Sequence, residues 1–118
     1  MKENSFWPQD AKRIEIENTT VPFYTYVQAG VQVIGFDTSS CMPPEPMINA
    51  MIALEKLTHK EIQIVMINHR SPVGLLAKIG NFYDIETIEL ENSKQKLIFS
   101  YKAGETEKAD LSQKSCAG

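Results

Sequence analysis

The run Cys41-Met42-Pro43-Pro44-Glu45-Pro46-Met47 constrains this chain more than any other stretch. It separates a β-like run, Val31 to Asp37, from a stretch with the spacing of an amphipathic helix. Each proline fixes φ near the helical value and lacks the N–H that a first helical turn would leave unpaired. The run is therefore a rigid strand-to-helix elbow, with Cys41 just ahead of a helix N-terminus.

Downstream of the elbow, Met47, Met51 and Leu54, together with Ile48 and Ile52, recur at spacings of three and four and predict a helix from about Pro44 or Pro46 to about Leu57. Ile62 to Ile67 reads as a buried strand. Ser71 to Gly80 predicts a second helix, with Ser71 as N-cap, Pro72 in the first turn and Gly80 as the stop. Tyr83–Glu91 and Lys94–Lys102 predict two strands around a turn at Asn92-Ser93. Upstream, Ile14 to Glu17 and Val21 to Val27 predict a hairpin or two short strands, with Pro22 confining its strand to an edge. Residues 1–30 are thus expected to form an N-terminal extension, 31–103 the main domain and 104–118 a flexible polar tail. From residue 31 the order is β-α-β-α-β-β, which implies an α/β (α+β) two-layer sandwich with two helices on one face of a sheet.

Composition narrows the function classes. A net charge of −3 argues against nucleic-acid binding through bulk electrostatics. No apolar run approaches the length that spans a bilayer. The first residues lack the apolar core of a secretory signal, so the cytoplasm is the expected compartment. Two cysteines, Cys41 and Cys116, do not make a disulfide framework, and two histidines without a paired-cysteine motif predict no metal site.

The element order, with Asp37 and the Pro43-Pro44-Glu45-Pro46-Met47 elbow, resembles the TusA/SirA-like sulfur-carrier superfamily. It is closer still to a sister family whose elbow reads Pro-Pro-Glu-Pro-Met and whose second helix follows an Arg-x-Pro element, matched by Arg70-Ser71-Pro72. The resemblance covers roughly residues 33–102 and implies a TusA-like core. It also implies a positively charged surface near the elbow, where Arg70 would sit. One departure stands out. The cysteine of the sulfur carriers falls on Pro43, while Cys41 lies two residues upstream, and Ser40 replaces the loop glycine.

Three function classes follow. The first is a cytoplasmic carrier or protein-partner-binding module, in sulfur or redox metabolism, without catalytic activity of its own. It would use Pro43, Pro44, Glu45, Pro46, His69 and Arg70, with Arg70 gripping a carboxylate or phosphate. The second is a sulfurtransferase-type protein with a persulfide on Cys41. A thiolate there would be favoured by the helix dipole but opposed by Glu45 and by the donors the prolines lack. The third is a small-molecule or cofactor site between the helix starts. Methionines at helical and strand spacing point to core rather than to such a site, so no cofactor is expected. Phe6, Trp7, Tyr24 and Tyr26 in the extension are expected either to cover a sheet edge or to dock a partner or second copy.

Overall fold

The computed structural model describes residues 7–109 and Leu111. Its framework is one six-stranded sheet built from β1 (Lys12–Ile14), β2 (Phe23–Gln28), β3 (Val31–Asp37), β4 (Ile62–Asn68), β5 (Tyr83–Glu89) and β6 (Gln95–Tyr101). The strands lie in the order β1-β2-β3-β4-β6-β5. Helix α1 (Glu45–Leu54) connects β3 to β4, and α2 (Val73–Ile79) leads toward β5. β3 and β4 are the one parallel pair, as a helical crossover between neighbouring strands requires.

Two tight turns set the antiparallel parts. Ala29 and Gly30 have φ of 55° and 80°, so both central residues of the β2–β3 connection are left-handed. Asn92 and Ser93, at 64° and 65°, do the same work between β5 and β6. Paired positive φ values twist a short loop in the sense that flanking strands need. The N-terminal strands therefore continue the same sheet across residue 30.

The strand period sorts side chains onto two faces. Ile34, Phe36, Ile64, Met66, Leu97 and Phe99 point toward the helices and meet Met47, Met51, Leu54, Leu75 and Ile79. Phe23 stacks on its cross-strand neighbour Phe36 at 4.6 Å between ring centroids. Fully burying a side chain of this size contributes about 1.5–3 kcal/mol, so this layer dominates stability. Among the described residues the opposite face buries Val33, Val65 and Ile67. Trp7 lies across it beside Tyr24 and Tyr26, and a Cβ at Gly35 would run into the indole ring. A glycine inside this strand is there because another group comes too close for a side chain.

Several expectations need correction. Only Lys12–Ile14 pairs, because Asn18 adopts φ 71° and the chain turns after Ile16. Pro22 does not mark an edge: it precedes β2, which is paired to β1 on one side and β3 on the other. Helix α1 ends at Leu54, although Leu57 is still buried. Ser71 does not cap α2, whose N-cap is Pro72 without any side-chain hydrogen bond. Gly80 does not stop the chain in a left-handed turn; it stays right-handed and runs into a 3₁₀ turn through Phe82.

The segment expected to be a flexible tail is packed at its start. Thr106 is buried, donates to the Phe82 carbonyl at 2.7 Å and accepts from the Lys102 N–H at 2.8 Å. Ala109 and Leu111 lie against the helix-side core. Residues 112–118, with Cys116, and Phe6 at the other end fall outside the described residues.

Candidate binding cleft

Both helices begin at the same end of the sheet, where parallel β3 and β4 finish. Between their starts lies a cleft of about 340 Å³. Pro43, Pro44, Pro46 and Met47 line it from the elbow, and Asn68, His69, Arg70, Pro72 and Val73 from the β4–α2 turn. Five of the expected site residues thus come together: Pro43, Pro44, Pro46, His69 and Arg70. Glu45 and Cys41 do not line the cleft.

The elbow is held from three directions. The Cys41 N–H donates to the Thr38 carbonyl at 2.9 Å, and the Glu45 N–H to the Met42 carbonyl at 3.0 Å. The Pro43–Pro44 bond is cis. Asn49, fully buried one turn into α1, accepts from the Thr20 N–H and donates to the Thr20 hydroxyl and the Glu45 carbonyl, all within 2.9 Å. The Thr20 hydroxyl in turn donates to Glu45 Oε1 at 2.9 Å. A buried amide with every partner in place fixes geometry strongly, because leaving one unpaired is expensive. The β1–β2 loop thereby turns the Glu45 carboxylate away from the cleft.

The other flank is fixed from below. Thr38, also fully buried, places its hydroxyl 3.0 Å from both the Ile67 carbonyl and Asn68 Oδ1, and its N–H donates to Ile67 at 2.8 Å. Asn68 Nδ2 donates to the Arg70 carbonyl at 3.0 Å. The Arg70 backbone is thus anchored while its side chain stays exposed. Among the described residues no carboxylate forms an ion pair with Arg70. Its flank carries positive charge and no acid in a chain whose net charge is −3.

No family model matches this chain, and no curated protein or solved structure matches it either.

Cys41 sits in a chemically unhelpful place for a nucleophile. Burial pushes its thiol pKa up, and the carboxylates of Glu45 and then Asp37 push it further. The helix start offers little in return. The Glu45 N–H is already bonded to Met42, and Pro46 has none to give.

The methionines separate cleanly. Met51 and Met66 are fully buried core, Met47 is core at the cleft floor, and Met42 is 75% exposed beside Pro43. Trp7, Tyr24 and Tyr26 cover a face of the sheet rather than an edge. Among the described residues no helix is long and apolar enough to cross a membrane, and no His, Cys, Asp and Glu cluster could hold a metal.

Sequence reasoning missed the anchoring residues: Thr20, Thr38, Asn49 and Asn68. Two left a visible signal. Asn49 is an amide on the apolar side of a helix, and Asn68 follows the apolar run Ile64–Ile67 at the end of its strand. Buried amides in such places need partners, and here they fix both walls of the cleft.

Proposed function

We propose that this chain is a TusA-like carrier or partner-binding module that works through the cleft between its helix starts, without chemistry of its own. One observation carries this proposal: the elbow and the β4–α2 turn converge on a small apolar cleft whose one full charge, Arg70, is unpaired among the described residues. A volume near 340 Å³ lies at the low end for ligand sites and suits one or two anchoring side chains. Val73 on its wall is exposed, and Met42 extends the apolar surface beyond it. The matching occupant is an extended segment of a partner protein with apolar anchors and a nearby carboxylate for the Arg70 guanidinium. The β-α-β-α-β-β order from Val31, with both helices on one face, supports the TusA-like core within this proposal.

Sulfur transfer through Cys41 has less support, because the thiol is held in its protonated form and lies outside the cleft.

The test is an NMR titration with a blocked peptide of alternating leucine and glutamate, against the same peptide with glutamine. The proposal expects amide shifts at Met47, His69, Arg70, Val73 and Gly74, with the glutamate peptide binding more tightly. Equal binding of both peptides, or shifts centred elsewhere, would refute it.

A further inference from the structure

The two edges of the sheet are built differently. β1 is only three residues long and carries Lys12 and Arg13. Short strands and basic side chains are standard ways to blunt an edge against unwanted pairing. β5 closes the opposite side, and all seven of its residues pair with β6 in one uninterrupted register, Tyr83↔Tyr101 to Glu89↔Gln95. It has no proline, no bulge and no lysine. Among the described residues nothing pairs with its outer side.

Its side chains have one sign. Asp84, Glu86 and Glu89 are exposed, and none forms an ion pair with a described residue. Glu91 follows in the turn, also exposed. Thr87 and Ile88, exposed between these acids, suit a strand surface that gains by being covered. Like charges across a strand pair are unfavourable, whereas opposite charges add to it. Asp84 and Glu86 share one face of β5 and Glu89 lies on the other, so the edge disfavours another acidic strand and favours a basic one on both faces.

We infer that the free edge of β5 is a docking site for a lysine- or arginine-bearing β-strand of a partner protein, which would add a seventh strand to the sheet. Main-chain hydrogen bonds along the seven-residue edge would supply affinity, and Asp84, Glu86 and Glu89 would select the basic strand. This site is separate from the cleft and does not depend on it.

The test uses a labelled peptide of alternating lysine and valine with blocked ends, at low ionic strength. A second peptide has the same charges but methylated nitrogens at alternate residues, so it cannot donate along one ladder. Amide shifts should concentrate on Tyr83–Glu89. The methylated peptide should bind about tenfold more weakly. A Glu86→Lys, Glu89→Lys double variant should lose affinity comparably while keeping its melting profile. Equal binding of the two peptides would overturn the inference, since charge alone would then suffice. It would also be overturned by absence of binding, by shifts centred elsewhere, or by β5 shifts that follow protein concentration without any peptide.

Discussion

The two flanks of the cleft enter their helices in the same way and dispose of their charge in opposite ways. Each passes through proline, and each has a single charged side chain close to the helix start, Glu45 at the first residue of α1 and Arg70 three residues ahead of α2. On the elbow, Glu45 is taken up by Thr20 and held beside Cys41. On the β4–α2 turn, only the backbone of Arg70 is tied, through Asn68, and the guanidinium stays exposed. The sign of the cleft is therefore decided by hydrogen bonds behind it rather than by the composition of its rim. An acidic protein can present a cationic groove when its nearest acid is held facing the other way.

The largest effect that would break this contrast comes from Asn49. Asn49→Ala removes the buried amide that links the exposed Thr20 to α1, with its three hydrogen bonds. A loss of about 1–3 kcal/mol is expected in denaturant melts. The elbow would also loosen, so acidic-peptide binding should weaken even though Asn49 never faces the cleft. A variant with unchanged stability and unchanged binding would show that the rear hydrogen bonds do not set the elbow.

Glu45→Gln sharpens the contrast with a smaller structural change. The thiol of Cys41 is raised first by burial and then by this carboxylate. In a Cys116→Ser background, Cys41 should react with iodoacetamide near pH 8 more slowly than an unstructured cysteine. Glu45→Gln should speed that reaction without restoring the unstructured rate, because burial remains. The sign is fixed by protonation: a raised pKa keeps the unreactive thiol form to higher pH. No acceleration would mean that Glu45 does not face the sulfur.

Arg70→Ala should have the smallest effect on stability, within about 0.5 kcal/mol, since the exposed side chain makes no ion pair among the described residues. Its effect should instead fall on binding, where the preference for glutamate over glutamine peptides should disappear.

Much of the framework was legible in the sequence because local chemistry and tertiary structure agree there. The apolar runs of β3, β4 and β6, the apolar face of α1 and Asn92 in the β5–β6 turn all adopt what their residues prefer. The misreadings arise where a distant contact overrides a local rule. Pro22 suggested an edge, but it stands one residue ahead of a strand that is paired on both sides. Thr106 sits in a stretch of Glu and Lys that resembles a solvated tail, yet its hydroxyl closes two backbone groups from Phe82 and Lys102. Gly35 in mid-strand went unread as a mark of the close approach of Trp7, and nothing in the sequence around Glu45 tells which way its carboxylate points. That direction depends on Thr20, 25 positions away. The cleft's residues and the cation at Arg70 could be read, and the turning of Glu45 away from it could not.

Charge reversal tests the central claim most directly. Arg70→Glu should bind the leucine–glutamate peptide more weakly than wild type and gain affinity for a leucine–lysine peptide, with NMR shifts still at Met47, His69, Val73 and Gly74. Retained preference for the glutamate peptide, or binding that moves away from these residues, would contradict the claim that Arg70 selects the occupant of this cleft.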